Sequence, residues 1–161
     1  MLYHSTRDLH LTAPSTRAVL EGIAPDGGLY ICDPAKLDFD WQGALQLDTL
    51  SMAAKILSAL LPDFPHMGDI VRRSYDGKFP TADLTPLVPV GDKYVLELFH
   101  GPTSAFKDVA LSVLPRLIGA AAKAEGMAGD VVILTATSGD TGKAALEGFH
   151  DVAGTGIIVF Y

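Results

Sequence analysis

Lys107 is the residue whose type and place point most directly to chemistry. It lies in Glu97-Leu98-Phe99-His100-Gly101-Pro102-Thr103-Ser104-Ala105-Phe106-Lys107-Asp108, between a strand-like run and a long helical pattern. The pattern predicts a helix from Ser104 to Glu125, which sets Lys107 in its first turn. There the partial positive charge of a helix N-terminus disfavours a second positive charge. Partial burial between Phe106 and Val109 would disfavour it further. A neutral amine is a nucleophile, and its usual use is Schiff-base formation with a carbonyl compound. The ordinary alternative is a solvated lysine with its stem along the surface.

A second chemical signal is Thr135-Ala136-Thr137-Ser138-Gly139-Asp140-Thr141-Gly142-Lys143-Ala144-Ala145. Small and hydroxyl-bearing residues follow an apolar strand and open a helix. Such a turn leaves several backbone N–H groups free, with the helix dipole behind them, and suits a carboxylate or phosphate. Ser138 and Thr141 add hydroxyl donors, and the glycines let backbone approach a ligand closely. The same segment could also be a capped turn without a ligand. Gly142-Lys143 invites comparison with the nucleotide P-loop, but the first glycine of that motif falls on Thr137 and its last Ser/Thr on Ala144. Gly154-x-Gly156 precedes a strand instead of following one, so it is no dinucleotide fingerprint.

These two segments need elements to hold them. A helix from Ser104 to Glu125, a strand at Val131–Leu134, a helix from Thr141 to His150 and a strand at Ile157–Phe160 form the signature of a parallel α/β layer. Pro115 inside the first helix should kink or break it. Upstream the pattern is mostly helical. A short helix opens at Pro14 and ends near Pro25, and Leu29–Ile31 is a short strand. Leu50, Ala53, Ala54, Leu57, Leu60 and Leu61 share one face of a helix over 49–61, which with Trp41 reads as core. Another helix covers Met67–Tyr75. Leu87–Val90 and Tyr94–Leu98 flank Gly91-Asp92-Lys93 as a hairpin with a three-residue loop. The expected division is an N-terminal helical region over 1–80 and the beginning of an α/β domain over 81–161. Two parallel strands rarely stand alone, so the chain reads as truncated, or as part of a longer protein.

Composition narrows the setting. Of 161 residues, 48% are apolar and 19% charged, which argues for a sizeable core and against disorder. The net charge of −7, with no basic cluster denser than Arg72-Arg73, argues against nucleic acid or an anionic membrane as partner. One cysteine, Cys32, permits no internal disulfide and fits the cytoplasm. The first residues lack a signal-peptide core, and no apolar run approaches the ~18 residues that cross a bilayer. His4, His10, His66 and His150 show no metal-ligand spacing, so no metal is expected. His100 reads as a local hydrogen-bonding residue beside the lysine.

Glu97-Leu98-Phe99-His100-Gly101-Pro102-Thr103-x-Ala105-Phe106-Lys107-Asp108 resembles the pyridoxal-phosphate lysine motif of the threonine synthase family. Ile133-Leu134-Thr135-Ala136-Thr137-Ser138-Gly139-Asp140-Thr141-Gly142 is similar to that family's substrate-side loop. Tyr3-x-Ser5-Thr6-Arg7, with Gly22-x-Ala24-Pro25-Asp26-Gly27-Gly28-Leu29-Tyr30, looks like its N-terminal signature. The three matches occur in order and cover most of the chain. Ser104 and Val109 stand where larger apolar residues are more usual.

The resemblance implies a fold-type II enzyme, a carbon–oxygen lyase of threonine biosynthesis that uses pyridoxal 5′-phosphate. It would convert O-phospho-L-homoserine and water into L-threonine and phosphate. Lys107 would be the catalytic residue that binds the cofactor and then moves protons between substrate carbons. Ser138, Gly139, Asp140, Thr141 and Gly142 would cradle the substrate carboxylate, and Asp140 would also face the cofactor's 3′ oxygen. By the same resemblance the cofactor's phosphate loop and the partner of its ring nitrogen lie beyond Tyr161. The isolated 161 residues are therefore expected to be inactive. The alternatives are another lyase of this fold, such as a threonine or serine dehydratase, and a non-catalytic binding module. Oligomeric state is left open.

Overall fold

A computed structural model describes residues 2–161, which divide into two compact units. One comprises the residues up to Asp69 together with Leu117–Ala128, and the other comprises Ile70–Arg116 with Gly129–Tyr161.

The first unit opens on strands β1 (Tyr3–Ser5) and β2 (Thr12–Ala13), then helix α1 (Ser15–Glu21) and strand β3 (Tyr30–Ile31). β1 is central and pairs antiparallel with both neighbours. The sequence pattern anticipates only β3, because two- and three-residue strands are too short to show an alternation. Pro14 is the residue before α1 and not its first residue, and it offers no side-chain cap. Asp63 supplies one from 48 positions away, accepting the Ser15 N–H at 2.8 Å and the Ser15 hydroxyl at 2.7 Å. Gly22, at φ +68°, ends α1 earlier than Pro25 could.

A polar knot ties β1 to the turn before β3. The buried Ser5 hydroxyl donates to the Asp26 carboxylate at 2.8 Å and accepts the Arg7 N–H at 3.1 Å, while Asp26 also accepts the Gly28 N–H at 2.9 Å. A Cβ on residue 28 would lie 2.1 Å from the Ser5 hydroxyl, so the turn admits only glycine there.

Helices α2 (Trp41–Ala44) and α3 (Thr49–Leu60) follow, capped by Asp40 and Asp48, whose carboxylates accept the Gly43 and Ser51 N–H groups at 2.9 and 3.0 Å. The expected helix over 49–61 is present, but the expectation that it and Trp41 form core fails. Trp41 is 60% exposed and no residue of α3 is fully buried. The core of this unit combines small side chains, Ala13, Ala18, Ala24, Ala44, Ala121 and Ala122, with the larger Phe64, Met67, Leu117 and Ile118.

Helix α4 (Met67–Tyr75) enters the second unit with the bounds its pattern predicts. Val71 and Tyr75 are buried, and the Tyr75 hydroxyl donates to the Val109 carbonyl at 2.7 Å. Burial pushes that hydroxyl's pKa up to about 12. Strands β4 (Leu87–Val90) and β5 (Lys93–Leu96) form the expected hairpin, but Val90 pairs with Lys93, so the loop has two residues. Gly91 at φ +62° makes the tighter turn possible.

Helix α5 (Asp108–Ala124) begins four residues later than its pattern suggests, and it runs through Pro115 as one helix. It is followed by β6 (Val131–Ala136), α6 (Asp140–Phe149) and β7 (Thr155–Phe160). β6 and β7 pair in parallel, from Val131 opposite Thr155 to Ala136 opposite Phe160. This is the α/β layer read from the sequence. Val132 and Leu134 are exposed, however, where the apolar run suggested full burial. Helix α6 lies on the face that carries Val159, while Leu134, Ile158 and Phe160 point to the open face. No helix among the described residues is long and apolar enough to cross a membrane.

Candidate active site

Lys107 stands at the mouth of α5 and not inside its first turn. Its carbonyl accepts the Leu111 N–H at 2.8 Å, the bond that starts the helix, so it occupies the capping position. The side chain is half-buried, with Nζ 4.3 Å from the centre of the exposed Phe106 ring.

The five residues before Lys107 form consecutive turns in place of helix, and Asp108 is the reason. Its carboxylate, only 2% exposed, reaches back to accept the Thr103 N–H at 2.8 Å and the Thr103 hydroxyl at 2.6 Å. The start of α5 behind it favours a negative charge at this place. Gly101 passes so close that a Cβ there would lie 2.4 Å from the Asp108 side chain. Further turns close through Ser104 N–H to Gly101 O and Asp108 N–H to Ala105 O, both at 3.0 Å. Ser104 sits at φ +60°, a left-handed conformation that costs a non-glycine residue roughly 1–2 kcal/mol. Beside the turn, His100 Nε2 lies 2.7 Å from the Glu97 carboxylate and its ring stacks on Phe99.

The loop after β6 has the open geometry its residue types suggest. The Thr137 N–H bonds the Phe160 carbonyl at 3.0 Å, closing the strand, and the Gly142 N–H turns back to the Gly139 carbonyl at 3.1 Å. Among the described residues, the intervening N–H groups of Ser138, Gly139, Asp140 and Thr141 meet no backbone acceptor. Ser138, Gly139 and Asp140 are exposed and Thr141 is half-buried, so this row of donors is open to a ligand. Gly142 points the other way. A Cβ there would lie 2.7 Å from Thr137 Cγ2 and 3.1 Å from Val159 Cγ1, so this glycine seats α6 on the strands.

The lysine turn and the loop belong to the same unit and are bridged. Lys143, one residue past Gly142, donates from Nζ to the Thr103 carbonyl at 3.0 Å. Further along, a Cβ on Gly148 would lie 2.2 Å from the Leu111 carbonyl oxygen, so α6 and α5 touch backbone to backbone. Thr103, Asp108 and Lys143 carry no assigned role in the sequence reading. The Thr-x4-Asp spacing across a helix start was the available signal for the first two, whereas the Lys143 contact spans 40 positions and leaves no local trace.

The geometry thus defines an α/β site with an amine on a clamped turn and an anion-sized row of N–H donors at a helix start. Comparison with known proteins gives it relatives. Residues 2–75 match the model described as threonine synthase N terminus. The chain is 36% identical to threonine synthase of Saccharomyces cerevisiae, over 99% of this chain and 35% of the relative. It is 39% identical to threonine synthase of Pseudomonas aeruginosa, over 92% of this chain and 32% of the relative. A crystal structure of pyridoxal-phosphate-bound threonine synthase from Brucella melitensis superposes with a TM-score of 0.86 at 36% identity, over 99% of this chain and 35% of that one. Residues 2–75 thus carry the threonine synthase N-terminal domain, and nearly the whole chain is similar to the N-terminal part of threonine synthases. The chain spans about a third of the length of these relatives.

Proposed function

We propose that the protein carrying this chain is a threonine synthase that converts O-phospho-L-homoserine and water into L-threonine and phosphate. Residues 81–161 would then open its cofactor-binding α/β domain, following an N-terminal region over 1–80. The observation that carries this reading lies within one unit. A half-buried primary amine on a clamped turn is bridged to a helix start whose Ser138–Thr141 N–H groups, among the described residues, meet no backbone acceptor.

The residues present fit pyridoxal 5′-phosphate. A lysine amine is the group that captures an aldehyde, and the turn fixes where that amine emerges. Lys107 would hold the cofactor, with Asp140 toward its 3′ oxygen. When bound, the cofactor supplies the electron sink for carbanion chemistry next to the amino group.

The chain's own side chains do the rest. Ser138, Gly139, Asp140 and Thr141 present N–H groups, backed by the α6 dipole, to the substrate carboxylate. Ser138 and Thr141 add hydroxyls. Gly142 contributes by letting α6 approach β7 closely enough to aim those groups. Lys107 Nζ, once released, takes and returns protons at the substrate carbons. A single cysteine, Cys32, agrees with a small-molecule enzyme of the cytoplasm.

The test is a product assay on the full-length protein. Phosphate and threonine released together from O-phosphohomoserine support the reading. Formation of a 2-oxo acid from threonine or serine without phosphate release assigns a dehydratase instead.

A further inference from the structure

We infer that Thr103, Asp108 and Lys143 form a positioning strut that fixes the Lys107 turn relative to the start of α6. The inference rests on the reading of Lys107 as cofactor anchor, and it adds roles for three residues to which that reading gives none.

Thr103 is the joint. Its N–H and hydroxyl both bind the buried carboxylate of Asp108, at 2.8 and 2.6 Å, and its carbonyl accepts Lys143 Nζ at 3.0 Å. All three hydrogen-bonding groups of one residue are therefore spent on two side chains from two elements. Asp108 is the neighbour of Lys107 in sequence, and Lys143 is the neighbour of Gly142. Each partner of the joint is thus directly attached to one half of the site.

The chemistry of the partners makes the strut stiff. Hydrogen bonds to a charged group are about twice as strong as neutral ones, and all three bonds here have one charged partner. A carboxylate as deeply buried as Asp108 cannot exchange its partners for water, so the turn has no cheap alternative conformation. Gly101, whose missing side chain leaves room for that carboxylate, completes the clamp. The left-handed Ser104 inside the turn fits the same picture, because a strained residue persists only where its surroundings over-determine it. Displacing reacting groups by about 1 Å is enough to cost two orders of magnitude in rate, which is why such a strut matters.

The experiment compares Thr103→Val, Thr103→Ser and Lys143→Met in the full-length protein. Three quantities are read: the rate at which Lys107 takes up pyridoxal 5′-phosphate, followed by borohydride trapping and peptide mapping; kcat and KM separately; and the thermal midpoint. Thr103→Val and Lys143→Met are each expected to slow uptake and lower kcat about tenfold or more, with KM within about threefold. Thr103→Ser, which keeps the hydroxyl donor, should restore both to within about threefold. Lys143→Met should leave the thermal midpoint in place, because the side chain is exposed. Should Thr103→Val fail to fold, Lys143→Met and the serine variant carry the test.

Wild-type uptake and turnover in Thr103→Val and Lys143→Met overturn the strut while leaving Lys107 as anchor. Equal losses in Thr103→Val and Thr103→Ser overturn it too, since the hydroxyl bond would then be irrelevant. Absence of any label on Lys107 in the wild type removes the underlying reading, and the strut with it.

Discussion

Gly148 sets its backbone against the carbonyl oxygen of Leu111, so close that a Cβ would lie 2.2 Å from that oxygen. Pro115 explains why the oxygen can accept such a neighbour. It stands four residues after Leu111 and has no N–H, so the helical bond Leu111 would otherwise accept is missing. The sequence reading expects Pro115 to break α5. The helix instead continues, and the vacated carbonyl becomes the place where α6 packs, with a Cα–H in contact with oxygen.

Gly148→Ala should therefore destabilise the protein by about 1–3 kcal/mol, because backbone on both sides must move to admit a methyl. Gly68→Ala is the matched control, since a Cβ there meets nothing within 4 Å and alanine is the better helix former. It should be neutral or stabilising by up to about 1 kcal/mol. Denaturant unfolding of both variants checks the pair, and similar losses in the two would show that the close approach is not what matters.

Acid should weaken the first unit through Asp63 and Asp26. Hydrogen bonds from the Ser15 backbone and hydroxyl hold Asp63 below its ordinary value, and the Gly28 N–H followed by the Ser5 hydroxyl do the same for Asp26. A carboxylate whose folded pKa is depressed gives stability that is fully present above its unfolded pKa of about 3.9 and is lost as pH falls through the folded value. Stability should thus be level from about pH 7 to 5 and drop below about pH 4. Asp63→Asn should start lower and flatten that drop. An unchanged acid profile in the variant would contradict the assignment.

Gly142→Ala separates the loop's seating from its donors. The new Cβ would press on Thr137 Cγ2 and Val159 Cγ1, side-chain atoms that can give way, so folding should survive. The N–H row would shift with α6. We expect KM for O-phosphohomoserine to rise about tenfold, equivalent to roughly 1.4 kcal/mol of lost binding, with kcat changed less. Steady-state kinetics on the full-length protein decide it.

The parts of this molecule that were legible in the sequence are those fixed by local chemistry. The apolar spacing of α4 and the strand-loop-helix run that opens at Val131 each announce themselves within a few residues, and Lys107 and the small-residue loop after β6 stand out by residue type, although the lysine segment reads as helix and not as the turn it forms. What was not legible depends on partners far along the chain. Ser15 is capped by Asp63, Thr103 is held by Lys143, and Gly148 is required by Leu111. The late start of α5 has the same origin, because Asp108 bonds backwards to Thr103 and spends the preceding residues on turns. Trp41 misled for another reason. Size and hydrophobicity suggest core, whereas the first unit buries Phe64, Met67, Leu117 and Ile118 among its alanines and leaves the indole exposed.

The central claim is that Lys107 Nζ is the attachment point of pyridoxal 5′-phosphate. Borohydride reduction of the full-length protein loaded with cofactor, followed by peptide mapping, tests it most directly. The predicted result is one reduced cofactor per chain on the peptide containing Lys107, with loss of the absorbance near 410–420 nm, a rough range for a lysine-bound cofactor, and no such label or band in Lys107→Ala. A label on another lysine, or a Lys107→Ala variant that is labelled as fully as the wild type, would contradict it.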